Sequence, residues 1–240
     1  MYSKTSPKFI DAKSYFLNPN VIELSSLEPI QLDAFLSLGW FRIQQTIFTT
    51  DFIYFDDQVY DAVWLRVRLH DFVPDKKYKI LSGKNSRFRI EFESAVITPA
   101  HEALYDSYKE SISFEGASSL HSLLYGKNNF NVYDTQMINV YDGDILIGTG
   151  CFDRGEKSAA GICSIYDPDY KKFSLGKYMI YEKVQYCKRK NFTYFYPGYF
   201  VPGYPAFDYK LEIGKPAIEY FDPVQKKWNS FYEDTIPGHD

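Results

Sequence analysis

The stretch Ser164-Ile-Tyr-Asp-Pro-Asp-Tyr-Lys-Lys-Phe-Ser-Leu-Gly-Lys-Tyr178 decides how the second half of this chain folds. Asp167-Pro168 closes an apolar run, because proline has no N–H to extend a ladder or a helix. Ser174 then stands at an N-cap position. Leu175, Tyr178, Tyr181, Val184 and Cys187 recur at helical spacing, which predicts a helix from Leu175 to about Lys190. Upstream, Met137–Tyr141 and Ile145–Phe152 read as strands joined by the turn Asp142-Gly143-Asp144. Arg154-Gly155 turns into a third strand, Ser158–Tyr166. Downstream of Asn191, Tyr194–Val201 is a buried aromatic strand. The order is strand, strand, strand, helix, strand.

The first half is less regular. The first thirty residues carry Pro, Asn and Ser with little periodicity and read as an extended arm. Gln31–Ser37 suits a short helix stopped by Gly39. Trp40 to Phe72 is strand-like, with Asp56-Asp57 as a turn. Within it Arg66 and Arg68 share one strand face, opposite Leu65, Val67 and Leu69. Pro74 and Gly83 bracket a basic stretch holding Lys76, Lys77, Lys79, Lys84, Arg87 and Arg89; it is followed by a strand to Phe92. Thr98 and Pro99 supply an N-cap and first-turn proline for a helix to about Glu110, with Glu102 in its first turn. Ser118–Tyr125 is a second short helix ending at Gly126.

Composition narrows the function classes. The chain has 240 residues, 45% of them hydrophobic and 24% charged, which suffices for a substantial core. Aromatics reach 19%, chiefly 22 Tyr and 20 Phe, and favour the pleated surfaces of a large sheet. Cys151, Cys163 and Cys187 are an odd count without C-x-x-C spacing, against a disulfide framework or structural zinc. His70, His101, His121 and His239 have no metal spacing, and His101 and His121 read as helix-surface residues. No secretory h-region or membrane span is apparent, so a cytoplasmic protein is expected. The net charge of −4 announces neither DNA nor RNA, leaving RNA contact to a local patch.

The strand–strand–strand–helix–strand order resembles the central unit of the GNAT (acyl-CoA N-acyltransferase-type) fold. The expected class is therefore α+β, a mixed sheet flanked by helices. The helix–strands–helix order of the first half admits a degenerate double GNAT, divided as residues 1–115 and 116–240. More specifically, residues 164–178, then Tyr194-Phe-Tyr-Pro-Gly-Tyr-Phe, then Phe207-Asp-Tyr-Lys resemble the C-terminal core of arginyl-tRNA–protein transferases and bacterial aspartate/glutamate leucyltransferases. That family carries Tyr-x-x-x-Asp-Pro, then Ser-Leu-Gly-x-Tyr opening a long helix, then a Tyr-x-x-Gly-Tyr strand and a Tyr-Lys ending. The matching positions are Tyr166 (nearer its Asp than in some members), Asp167, Pro168, Ser174, Leu175, Gly176, Tyr178, Tyr196, Gly198, Tyr199, Tyr209 and Lys210. Leu38-Gly-Trp-Phe-Arg and Leu65-Arg-Val-Arg-Leu-His-Asp-Phe fit the family's N-terminal half more loosely. The family's N-terminal cysteine pair is absent, since Cys151 is the first cysteine, and its Ser/Arg-rich run is thinned to the basic stretch.

The resemblance implies transfer of an amino acid, of the Arg or Leu class, from aminoacyl-tRNA to the N-terminus of an acceptor protein; with the cysteine pair absent and no metal spacing among Cys or His, no cofactor or metal is expected. It also implies an opening between Ile162–Tyr166 and Tyr196–Phe200, where adjacent parallel strands splay. Asp153, Tyr166 and Tyr209 are the candidate catalytic residues, and Asp153 can accept the amine's proton or bind its ammonium form. Asp153-Arg154-Gly155 is equally good turn chemistry. Arg66, Arg68, Ser174, Gly176, Tyr196, Tyr199 and Lys210 are candidate substrate contacts. Arg66 and Arg68 can pair an acidic first residue or belong to sheet-surface ion pairs. Ser174 suits a helix cap better than a nucleophile, and Tyr209 and Lys210 can instead be a strand-edge tyrosine and a solvated lysine. Lys76, Lys77, Lys79, Lys84 and Arg87, interleaved with Tyr78 and Phe88, suit single-stranded RNA or a solvated loop. An acyl-CoA donor and a non-catalytic binding module remain as rivals; Lys171-Lys-Phe-Ser-Leu-Gly lacks the paired glycines that cradle a pyrophosphate.

Overall fold

The computed structural model describes residues 20–55, 58–112 and 116–231. Most of the expected N-terminal arm, the Asp56-Asp57 turn and His239 lie outside them. The frame is an eight-stranded mixed sheet in the order β13-β12-β6-β11-β10-β9-β8-β7. Its strands are β6 (Val63–Arg68), β7 (Arg89–Ser94), β8 (Thr135–Asp142), β9 (Ile145–Arg154), β10 (Ser158–Tyr166), β11 (Tyr194–Phe200), β12 (Ile218–Asp222) and β13 (Lys227–Ser230). Strands from both sides of residue 115 share it: β6 pairs with β11 and β12, and β7 with β8. The earlier strands form two small sheets, β1 (Val21–Glu23) with β3 (Thr46–Phe48) and β2 (Phe41–Ile43), and the hairpin of β4 (Phe52–Phe55) and β5 (Gln58–Asp61). The expected α+β class, a mixed sheet flanked by helices, is present.

Both sheet faces are covered, which is why the aromatic content is high. One face carries α5 (Leu175–Arg189), packed beside α2 (Lys76–Asn85). Leu65 and Val67 of β6, and Leu69 just beyond it, point into this core with Phe152, Phe195, Tyr181 and Val184. The other face carries α1 (Pro29–Ser37), α3 (Pro99–Ser111) and α4 (Leu120–Tyr125), where Leu104, Leu120 and Leu124 meet Met137 and Cys151. Aromatic pairs fill these layers; Phe41 stacks on Trp64 at 3.5 Å and Phe92 on Tyr186 at 4.2 Å.

Local chemistry altered several expected elements. The basic stretch is a helix, α2, and not a loop, because Asp75 caps it by accepting from the Tyr78 N–H at 2.7 Å. His101 is buried rather than surface-exposed. Its ring lies against Thr98 at the helix start and 3.2 Å from Asn139 on the sheet. Ser174 occupies the residue before α5 but makes no side-chain cap. A 3₁₀ turn, Pro168–Phe173, delivers it in the left-handed conformation with φ 54°, and its N–H donates to the Lys171 carbonyl. Tyr209 and Lys210 sit in a second 3₁₀ segment, Pro205–Glu212, not on a strand edge.

The parallel contact between β10 and β11 is short. Ser158 pairs with Tyr194, Ala159 with Phe195 and Ala160 with Tyr196, and there the pairing stops. At that level β10 bulges against β9 between Gly161 and Cys163, and β11 bulges against β6 between Phe195 and Gly198. A bulge bends its strand. Pro197 has no N–H to offer a neighbour, and Gly198 adopts φ +90°, a conformation that side chains resist. Two strands that bend at one level part beyond it. The expected opening is present.

Gly198→Ala places a Cβ in that strained conformation, 3.5 Å from the Lys210 Nζ. The expected loss is about 1–2 kcal/mol of unfolding free energy, read in urea as a lower midpoint at unchanged slope.

Candidate active site

The parted strands enclose a cavity of about 470 Å³. Gly161, Ile162, Cys163, Ser164 and Tyr166 line it from β10, and Phe195 and Pro197 from β11. The start of α5 contributes Ser174, Gly176, Lys177, Ile180 and Lys183, while Tyr108 comes from α3 and Tyr209 and Lys210 from the second 3₁₀ segment. Small residues permit the close approaches. A Cβ on Gly176 would stand 3.3 Å from the Tyr166 ring, and one on Gly161 would stand 3.2 Å from Phe195. Burial pushes the Tyr209 hydroxyl above its ordinary value and the Tyr108 hydroxyl up to about 12, so both are neutral donors near pH 7.

The cavity's charge has one sign. Lys171, Lys177, Lys183 and Lys210 line it, and no Asp or Glu does among the described residues. Lys177 meets Glu212 at 2.7 Å outside the lining. Lys210 donates to the Tyr199 carbonyl at 2.6 Å and lies 5.0–5.9 Å from the ring centres of Phe207, Tyr199 and Tyr209. Burial pushes its ammonium down to about 7. Lys183 is 1% exposed and donates to the Cys163 carbonyl at 2.9 Å, the Ser164 hydroxyl at 3.1 Å and the Cys151 carbonyl at 3.4 Å.

Five of the residues singled out in the sequence thus converge: Tyr166, Ser174, Gly176, Tyr209 and Lys210. Others are placed elsewhere. Asp153 is buried on β9, 2.7 Å from Arg42 and 2.7 Å from the Thr135 hydroxyl, and does not line the cavity. The expected proton acceptor is instead the counter-ion of a core arginine. Arg66 lies 2.5 Å from Glu219 between the rings of Tyr194 and Trp228, and Arg68 reaches Asp71 and Glu219. Both already have carboxylates, which leaves the surface ion-pair reading. Tyr196 turns to the opposite core against Phe41 and Trp228. Tyr199 approaches with its carbonyl, while its ring packs on Trp64 and Phe207.

The basic patch is dispersed on and after α2. Lys76 and Lys79 are exposed, Lys77 lies 3.5 Å from Glu212, Lys84 donates to the Lys172 carbonyl, and Arg87 pairs with Asp142 at 2.9 Å. Glu212 joins Lys77 to Lys177, so this helix borders the cavity mouth. Sequence reading missed Tyr108, Cys163, Lys171, Lys177 and Lys183. Lys183 directly precedes Val184 of the apolar stripe and carries no local mark of burial.

Residues 100–218 match the family model for the C terminus of arginine-tRNA-protein transferase. An aspartate/glutamate leucyltransferase of Leptospira interrogans is 35% identical over 192 residues, spanning 71% of this chain and 72% of the relative. One from Stenotrophomonas maltophilia is 22% identical over 231 residues, covering 93% and 87%. The solved structure of FemX superposes with a TM-score of 0.44 at 9% identity, over 72% of this chain and 60% of the other.

Two measurements test the electrostatics. Arg42→Met strands the buried Asp153 carboxylate, whose Oδ2 already has no partner, and is expected to cost about 3–5 kcal/mol in denaturant unfolding. The double change R42M/D153L should recover part of that loss. Lys210 ordinarily titrates at 10.5 and in the fold at about 7. Between those values the unfolded chain holds a proton that the folded chain lacks, so stability gained through Lys210 rises with pH across that window. The wild type should therefore gain stability over Lys210→Met as pH climbs from about 7 to 10.5, read from unfolding free energies at both ends.

Proposed function

This chain belongs to the family of aminoacyl-tRNA–protein transferases that holds the arginine-tRNA-protein transferases and the aspartate/glutamate leucyltransferases, and we propose that its donor is leucyl-tRNA and its acceptor a protein beginning with Asp or Glu. The family's activity is aminoacyl-tRNA-dependent transfer to a protein N-terminus. The observation that carries the finer reading is the charge of the cavity lining, four lysines and no lining carboxylate among the described residues, with only Lys177 paired, to Glu212 just outside. An arginyl side chain would bring a guanidinium with no anion to meet it. A leucyl side chain finds Ile162, Ile180 and Phe195. An acidic first residue of the acceptor finds cations, and charge-assisted hydrogen bonds are about twice as strong as neutral ones.

The same cations help the nucleophile. An α-amino group ordinarily titrates at about 7.7–8.0, and nearby positive charge lowers that value. Its neutral nitrogen attacks the carbonyl carbon of the aminoacyl ester. Main-chain groups on the opened strand edges, with the lysines, face the developing oxyanion, the kind of preorganised term that dominates acyl transfer. The carbon–oxygen bond to the ribose breaks as the amide forms. Lys210, part neutral near pH 7 through its burial, takes the proton shed by the amine, and the ribose oxygen gains one. Tyr166 and Tyr209 supply hydroxyl contacts, and Ser174 and Gly176 let substrate approach the start of α5. The exposed lysines of α2 at the mouth meet phosphates of the donor, a contact that weakens with salt. Charged tRNA as donor places the reaction in the cytoplasm.

A peptide beginning with Asp, mixed with enzyme and a pool of charged tRNAs, is expected to gain the mass of one leucyl residue. A gain of arginine instead would reject the donor assignment. Charge reversal in K171E/K177E should raise KM for the acidic peptide roughly tenfold, equivalent to about 1.4 kcal/mol, with a smaller change in kcat.

A further inference from the structure

Cys151 on β9 and Cys163 on β10 are directly opposed in the antiparallel ladder. Opposed residues in such a ladder have Cα atoms about 4.5–5.5 Å apart, within the roughly 4.4–6.8 Å that a disulfide spans. Both side chains pack in the core beneath α3. They differ in access. Cys151 is 0% exposed, whereas Cys163 is partly exposed and lines the cavity.

Their surroundings are unusual. Lys183 is buried with carbonyls and a hydroxyl for partners; burial pushes its ammonium toward the neutral form, and the thiols of Cys163, Cys151 and Cys187 oppose that shift. A buried ammonium without a counter-ion costs several kcal/mol, and a thiolate at Cys163 is foremost among the groups that favour the charged form of Lys183. The neighbouring Cys151 thiol holds the Cys163 thiol below its ordinary value against the opposing effect of burial, with Lys183 and Arg42 adding to the pull; the phenols facing it from α3, Tyr105 and Tyr108, stay neutral. Cys187, one turn beyond Lys183 on α5, is buried and pushed up to about 12, which makes it an internal control.

We propose that Cys163 and Cys151 are an oxidisable pair in the cavity wall, in which Cys163 is the thiolate attacked by a small peroxide and Cys151 is the resolving thiol. Sulfur of Cys163 attacks one peroxide oxygen. The oxygen–oxygen bond breaks, water leaves, and a sulfenic acid forms. Sulfur of Cys151 then attacks the Cys163 sulfur, the sulfur–oxygen bond breaks, a second water leaves and the disulfide forms. The two sulfurs together lose two electrons to the peroxide, and a dithiol reductant reverses the change. The site depends on neither the donor amino acid nor the acceptor.

The test uses the full reduced chain, hydrogen peroxide and mass spectrometry. The expected product is a monomer lighter by two hydrogens whose digest links the peptides of residues 151 and 163, restored by a dithiol. In C151S the sulfenic acid should persist on Cys163 and be trapped by dimedone, and C163S should stay reduced. In the untreated protein iodoacetamide should label Cys163 at least about tenfold faster than Cys187, as thiolate reactivity requires. Oxidation first at Cys187, a bridge between molecules, or two thiols surviving the peroxide in wild type would each overturn the proposal. Because no transfer assay enters, these failures are distinct from a wrong donor assignment.

Discussion

The three-residue limit on the pairing of β10 with β11 is the constraint from which the rest of the site follows. Had Ala160–Tyr196 been followed by further parallel pairs, the inner strand edges would satisfy each other and no opening would exist. Instead both strands bend at one level, β10 at the residues around Ile162 and β11 at Pro197-Gly198. Each remains anchored on its outer side, β10 to β9 and β11 to β6. The opening is thus held by an otherwise continuous sheet, and α5 spans it with its first turns.

Among the described residues the cavity lining carries lysines and no carboxylate, and the two most buried lysines are set against carbonyl oxygen. Lys210 and Lys183 each donate to main-chain carbonyls beside the opening. Such partners orient an ammonium but do not cancel its charge, and burial pushes both lysines toward the neutral form. The two sites differ in what surrounds them: Lys210 sits among aromatic rings, whereas Lys183 has thiols that oppose its shift. Asp153 and Glu219 are spent elsewhere, on Arg42 and Arg66, while Glu212 pairs from outside the lining with Lys77 and with the cavity's Lys177. The Asp153–Arg42 pair fastens the small β1–β3–β2 sheet onto β9, so a residue expected at the chemistry serves the frame that holds it.

What the sequence determined by itself is local. Turn residues at Asp142-Gly143, Arg154-Gly155 and Asp167-Pro168, and the apolar period of Leu175 to Cys187, encode the three-stranded meander and the helix after it within a few residues of their observed limits. The ordered Tyr, Gly and Lys positions from Tyr166 to Lys210 carried the family and five residues of the cavity, because a motif keeps its spacing through one helix and one strand. Tertiary structure alone decided the rest. Asp153 and Lys183 look like turn and surface residues in their own neighbourhoods; only the packing of β2 on β9 and of α5 over β10 buries them. Cys151 and Cys163 are twelve positions apart, and strand register makes them neighbours. Burial and register arise from contacts distant in sequence, and these set the charge and reactivity of the site.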